Sequence, residues 1–275
     1  MVESAVVIQM PVGAIMGKRS MYIWKLPEIV AAEGGTDKIV DKAGRAHISA
    51  LWVKVADGAS RYKNVTGANA PIFRDLISRA HDANIEVWGW HVPHCATVQQ
   101  AKTEAKVFGD IAKDFGLDGL IMDAEGTSVF FHGGTAEAKA YGAAMRAVVD
   151  ELEKPLAISS NDIPQNIQGW LPKFNEIAAK ADINYPQTYY GASPSVMNRV
   201  DRSVTGNAHL TIPFNPVGAG FIGLAEGGCA SASACAERGR EFIRLCNERN
   251  YESYSFWHWA GAPMALWEVL NNTPA

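Results

Sequence analysis

Gly116-Leu117-Asp118-Gly119-Leu120-Ile121-Met122-Asp123-Ala124-Glu125-Gly126 is the stretch around which the chain is organised. An apolar run that ends in two acids and a glycine predicts a buried strand with carboxylates at its exit. Residues two apart on a strand share a face, so Asp123 and Glu125 project together above Ile121, while Met122 and Ala124 face the other way. Two acids on one buried face repel, and such a pair is kept mostly where it has chemistry to do. The plainer alternative is two strand-end acids that cap or salt-bridge a neighbouring loop.

Outward from this strand the same unit repeats. Before it, Ile85–Trp90 predicts a strand and Thr97–Phe115 an amphipathic helix, with Val98, Ala101, Ala105, Phe108, Ile111 and Ala112 near helical spacing. Earlier still come strands at Met21–Leu26, ended by Pro27, and Ile48–Val55. Helices follow them at Thr36–Ala46 and from Pro71 to Asn84. After it, helices at Ala136–Leu152, Leu171–Ala181, Pro194–Val204, Ser233–Asn250 and Pro263–Leu270 alternate with strands at Pro155–Ser159, Ile183–Tyr189, Leu210–Phe214 and Ser253–Trp259. Eight β-then-α units in one chain of this length predict an α/β fold, a single (β/α)8 TIM barrel domain over residues 1–275. Ala5–Val12, closed by Pro11 and Gly13, reads as a short strand capping the bottom of the barrel. The alternative is an open doubly wound sheet. Against it, no glycine-rich phosphate turn follows an early strand, and Gly218-Ala219-Gly220 comes too late to serve.

Composition narrows the class. The chain has 275 residues, 48% of them apolar, which is enough for a large core. A net charge of −4 with no basic block gives no electrostatic case for nucleic acid or an anionic membrane surface. No apolar run approaches the roughly 18–20 residues of a membrane span. The N-terminus lacks a basic region followed by an apolar core, so a cytoplasmic start is the default, with release by a phage or non-classical route as the alternative. Cys95, Cys229, Cys235 and Cys246 are too scattered for a disulfide framework or a zinc site; Cys229 and Cys235 could close a small loop in an oxidising compartment, and free thiols are the preferred reading. The expected protein is a monomer that needs no cofactor and no metal.

In such barrels the chemistry gathers where strands exit into helices. Taken in order, the exits present Trp24 and Lys25; Trp52, Lys54 and Asp57; Trp88, Trp90, His91 and His94; Asp123 and Glu125; Ser159, Ser160, Asn161 and Asp162; Asn184, Tyr185, Gln187, Tyr189 and Tyr190; Asn215; and Trp257, His258 and Trp259. Aromatic rings beside acids and amides suit a sugar, whose C–H faces lie on rings while its hydroxyls take hydrogen bonds. Each tryptophan alone also fits a core position, and His91 should face away from Trp88 and Trp90. His91 and His94 do not stand at a metal spacing with a nearby acid, and Ser159-Ser160 lacks a nucleophile-elbow pattern. The substrate-binding candidates are Trp24, Lys54, Asp57, Trp90, His91, Asn161, Tyr185, Gln187, Tyr189, Trp257 and Trp259; the catalytic candidates are Glu125 and Asp123.

Asp118-Gly119-Leu120-Ile121-Met122-Asp123-Ala124-Glu125 resembles the chitinase-type family 18 signature D-G-x-D-x-D-x-E, with Ile121 in the place of one acid. Its D-x-E half is equally similar to the fourth strand of the family 25 lysozymes, which are muramidases. Trp52-Val53-Lys54-Val55-Ala56-Asp57-Gly58 is similar to their K-x-T-E-G strand, with Asp57 where they have Glu. Their strand-one D-V-S acid is replaced here by Trp24-Lys25. Tyr185-Pro186-Gln187-Thr188-Tyr189 and Trp257-His258-Trp259 resemble sugar-site strands of both groups. The resemblance implies a glycoside hydrolase on a glycan with N-acetylated sugars, peptidoglycan or chitin-like. It makes Glu125 the general acid and Asp123 the group that orients the acetamide, with Tyr185 or Tyr189 as an acetamide partner. Without an acetamide, Asp123 or Asp182 would be the nucleophile. Two other classes stay open: a carbohydrate-binding barrel without catalysis, and a Schiff-base enzyme using Lys25 or Lys54.

Overall fold

The computed structural model describes residues 19–127 and 129–275; the Ala5–Val12 run lies outside the described residues. Eight strands form the barrel: β1 (Arg19–Ile23), β2 (Ala50–Asp57), β3 (Glu86–Val92), β4 (Gly119–Asp123), β5 (Leu156–Asn161), β6 (Ile183–Gln187), β7 (Val217–Ala219) and β8 (Tyr254–Trp257). Each pairs in parallel with its chain neighbours, and β1 pairs with both β2 and β8, so the sheet closes. A two-residue antiparallel return, Ser60–Arg61, doubles the end of β2. Around the barrel run α1 (Leu26–Glu33), α2 (Thr36–Arg45), α3 (Asn69–Asp82), α4 (Val98–Phe115), α5 (Thr135–Leu152), α6 (Leu171–Ala178), α7 (Val196–Asn207), α8 (Ala232–Glu248) and α9 (Met264–Asn271). The architecture is the (β/α)8 barrel that the repeating units predict.

Alternation along the strands sorts the core into two layers. Leu51, Val53, Leu120, Met122, Leu156 and Ile158 face the helices. Tyr22, Trp52, Trp88, Trp90, Ile121, Ala157, Ile183, Tyr185 and Val217 fill the interior. Trp52 meets Tyr22 and Tyr185 edge-on at ring-centroid distances of 4.9 and 4.6 Å. Gly119 makes room for one of these rings, because a Cβ there would stand 2.4 Å from the Trp88 indole. The barrel is thus plugged by aromatic rings up to the level of Trp90, and open above it.

Two elements depart from the sequence reading. The seventh strand is Val217–Ala219, whereas Leu210–Phe214 makes only a single bridge, Phe214 to Asn184. Pro213 and Pro216 lack the N–H that a ladder needs, so pairing resumes only beyond Pro216. The chain also enters a helix straight after β1, at Leu26, with Pro27 in its first turn, where a missing N–H costs nothing. Gly34 and Gly35, at φ +90° and +147°, separate that helix from α2.

Candidate active site

The strand exits surround a cavity of about 480 Å³ at the C-terminal mouth of the barrel, within the range of small-molecule sites. Of the candidates named from sequence, Trp24, Lys54, Asp57, Trp90, Asp123, Glu125, Gln187, Tyr189 and Trp257 line it. Val92, Val129, Phe130, Phe221 and Glu226 line it as well and were not anticipated. Val129 and Phe130 belong to the loop after β4, and Phe221 and Glu226 to the loop after β7. The adjacent Phe130-Phe131 in a loop was the one available hint; Glu226, among glycines, offered none.

Asp123 is the last residue of β4 and is buried, with Ile121 beneath it inside the barrel. The backbone of Ala124 still pairs with β5, its N–H donating to Ser159 O at 2.9 Å, which carries Glu125 onto the same rim. One amide ties the acids together. Gln187 Nε2 donates to Asp123 Oδ1 and to Glu125 Oε1, at 3.0 Å each. The accepting oxygens are therefore no farther apart than the span of two hydrogen bonds. Asn161 supports Glu125 from outside the cavity: Nδ2 donates to Oε2 at 3.4 Å, and its Oδ1 accepts from Gly126 N at 2.9 Å.

Burial, and then the neighbouring charge of Glu125, push the Asp123 carboxyl well above the ordinary range; Lys54 and the hydrogen bond from Gln187 act against that rise. Burial likewise raises Glu125, opposed by Gln187 and Asn161. Two carboxyls this close, with little water, keep a proton to higher pH than free acids do. The cation in the cavity wall is Lys54, buried, its Nζ 4.7 and 5.1 Å from the centres of the Tyr62 and Trp90 rings. It donates to Asp57 Oδ2 at 2.7 Å, and His94 Nε2 lies 2.7 Å from Asp57 Oδ1. Burial would raise Asp57, yet the bonds to Lys54 and His94 prevail and hold it below the ordinary range.

Rings complete the cavity. Trp257, at the end of β8, lies 5.7 Å from Trp90 and 6.3 Å from Trp24 between centroids. The Trp90 indole N–H is held by Trp52 O at 3.1 Å, which fixes its plane, while Trp24 is 38% exposed at the rim. Tyr189 is half-buried in the cavity wall, and desolvation, then the charge of Glu125, raise its pKa.

Five named residues stand elsewhere. His91 faces the helices and contacts Tyr141 OH at 2.8 Å and Gly58 O at 3.0 Å, because Trp90 takes the inward position of that strand pair. Tyr185 sits deep in the interior, its hydroxyl 2.8 Å from Ser253 Oγ, below Trp52 and out of reach of a bound sugar. Trp259 has passed into the turn after β8, where it is buried against Trp267 and donates to Glu33 at 2.9 Å. Asn161 touches Glu125 without lining the cavity. Asp182 is at the opposite end of the barrel, bonded to Leu156 N and Arg146, and cannot be a nucleophile here.

No protein-family model matches the chain, and no curated protein does. Solved structures do. A family 18 N-acetylglucosaminidase from Paenibacillus barengoltzii superposes with a TM-score of 0.63 at 12% identity, over 93% of this chain and 99% of that one. The likeness is one of fold. The spore cortex-lytic enzyme SleL of Bacillus megaterium matches with a TM-score of 0.63 at 11% identity, over 94% of this chain and 74% of its own. A chitinase-like agglutinin from Robinia pseudoacacia matches with a TM-score of 0.62 at 12% identity, over 92% and 98%.

Proposed function

We propose that this chain is a glycoside hydrolase acting on a glycan with N-acetylated sugars. The observation that carries the proposal is the pair of Asp123, buried, and Glu125, half-buried, joined by Gln187 at the mouth of a ring-lined cavity. The fold shared with family 18 hydrolases, and with an enzyme whose name places it on spore cortex, supports the same substrate class.

Glu125 is the proton donor in this reading. It protonates the glycosidic oxygen as the bond to the anomeric carbon breaks, and its raised pKa keeps the proton to higher pH than a free carboxyl would. One nitrogen of Gln187 bridges an oxygen of each carboxyl, an arrangement that favours the closer spacing of a retaining pair over the ~6.5–9.5 Å gap that an inverting enzyme leaves for water. A retaining route follows, in which the substrate's acetamide oxygen attacks the anomeric carbon and water later opens the cyclic intermediate, activated by Glu125. Asp123 accepts the acetamide N–H and balances the charge that develops on it. Gln187 holds both acids in register, Lys54 supplies the counter-charge, and Trp257 with Trp90 forms the surface on which the sugar ring lies.

Release of fluorophore from 4-methylumbelliferyl chito-oligosaccharides, compared between wild type and Glu125→Gln, tests this reading. Turnover that depends on Glu125 supports it, and turnover indifferent to Glu125 removes it. A second reading is a glycan-binding barrel without catalysis, favoured by Ile121, which puts an apolar side chain under Asp123, and by the fold shared with the agglutinin. Oligosaccharide binding with no product release on prolonged incubation would select it. The Schiff-base alternative is weakened by Lys54, whose Nζ is engaged by Asp57 at 2.7 Å and packed against two ring faces rather than directed at a bound carbonyl. Borohydride trapping with carbonyl compounds would revive it.

A further inference from the structure

Cys95, Cys229, Cys235 and Cys246 are all free and buried, and two of them meet. Cys229 closes the loop after β7, and Cys235 lies in the first turn of α8. Both thiols reach one acceptor: Cys229 Sγ is 3.6 Å and Cys235 Sγ 3.8 Å from the carbonyl oxygen of Ala219 at the end of β7. Elements from three parts of the chain thus bring two sulfurs onto a single oxygen.

The loop that Cys229 closes forms one wall of the active-site cavity. Phe221 and Glu226 from it line the cavity. Its base is pinned at Cys229, whose N–H donates to Phe221 O at 2.7 Å and whose carbonyl accepts from Gly223 N at 3.0 Å. Its outer edge is open to solvent, with Ile222 and Leu224 about half exposed. We propose that Cys229 and Cys235 are an oxidation site, whose disulfide fastens this wall of the cavity to α8.

The oxidant is a low-molecular-weight disulfide. The Cys229 thiolate attacks one sulfur of that disulfide, forming a mixed disulfide and expelling one small thiolate. The Cys235 thiolate then attacks the Cys229 sulfur and expels the second, so two protein thiols are oxidised and one small disulfide becomes two small thiols. Cys229 is the attacking sulfur because the Cys235 thiol beside it outweighs burial and, with Arg238 one turn further along α8, holds its pKa below the ordinary thiol value. Cys235 itself is raised, first by that same contact and then by burial. The proposal does not depend on the reaction that the cavity performs.

Non-reducing peptide mapping of the full chain, equilibrated over a series of oxidised-to-reduced glutathione ratios, tests it. The expected product joins the peptides of Cys229 and Cys235, with Cys95 and Cys246 still open to alkylation after unfolding. Native geometry should favour the bond, so its midpoint in folded protein should lie at least about tenfold toward the reducing side of that in denatured chain. The oxidised form should melt roughly 3–8 °C higher, a gain absent from Cys235→Ala. Because access to buried thiols needs the loop to open, the mapping is repeated on protein refolded in the same buffers. The proposal is overturned if neither preparation forms the bond, if Cys246 or Cys95 takes either place in it, or if folded and denatured midpoints coincide.

Discussion

At the scale of single residues the argument rests on two carboxyls and one amide. Glu125→Gln is nearly isosteric and removes the proton donor, so hydrolysis should fall by ~10²–10⁴-fold or more while oligosaccharide binding survives. Rate measurement on a fluorogenic chito-oligosaccharide, with binding followed by tryptophan fluorescence, separates the two. Asp123→Asn should cripple only substrates with an N-acetyl group, since those supply their own nucleophile. A 2-fluoro sugar that left a covalent adduct on the Asp123 peptide would instead make Asp123 the nucleophile. The pH dependence has a definite sign. Glu125 must be protonated to act, and burial raises its pKa, so activity should persist above the pH at which a free carboxyl has ionised and fall as pH climbs through the raised value. Gln187→Leu takes away the donor shared by both acids. Their mutual repulsion would grow, and the fall-off should move further up in pH.

At the scale of elements, β4 depends on a glycine. A Cβ at Gly119 would press on the Trp88 ring at 2.4 Å, and Trp88 is held in place by a bond from its indole N–H to Glu86 at 2.8 Å. Gly119→Ala should therefore destabilise by about 1–3 kcal/mol through overpacking and shift the strand that carries Asp123. A lower denaturation midpoint with reduced turnover is the expected pair of results; an unchanged midpoint would mean that the ring relaxes. Strand four was readable because its apolar run and its acids are contiguous. Strand seven was not, since proline positions and the fit of Gly218 under Phe242, where a Cβ would stand 2.8 Å away, decide where pairing resumes.

At the scale of the whole molecule, Arg19 ties the first strand to the last elements. Its guanidinium lies in a 0% exposed side chain and donates to Tyr254 OH at 3.1 Å, Leu270 O at 3.0 Å and Thr273 O at 2.8 Å. Arg19→Met keeps the bulk of the stem and leaves buried acceptors without donors, so it should cost about 2–4 kcal/mol, measured by urea denaturation. Stability should also depend on pH in two opposed ways. Burial depresses His91 to about 3 and His258 to about 4. Their unfolded forms bind the proton more readily, so the stability they contribute is complete above ~6.5 and is lost as pH falls from there toward the folded values. Asp123 and Glu125 are raised, and the stability of their protonated forms is lost as pH rises past the free carboxyl range. Melting temperature should therefore peak between the two limbs. His91→Gln should flatten the acid limb, and an acid limb of unchanged steepness would show that His91 does not drive it.

The sequence by itself determined the eight-fold alternation, because periodicity and helix or strand ends are local properties of the chain. It also determined that Asp123 and Glu125 share a face, since a strand repeats every two residues. Placement at the mouth of the barrel was legible for Trp24, Lys54, Asp57, Trp90, Gln187, Tyr189 and Trp257, because each stands at a strand exit. Depth was not legible. Tyr185 and Gln187 lie on one strand with the same inward facing, and only the tilt and stagger of the closed barrel put Tyr185 in the plug and Gln187 against the acids. The turn after β8 took Trp259 out of the cavity for the same kind of reason. Loops brought Phe130, Phe221 and Glu226 over the site and set Cys229 beside Cys235. Those contacts join residues distant in sequence or turned about one backbone oxygen, and only the packed fold can bring them together.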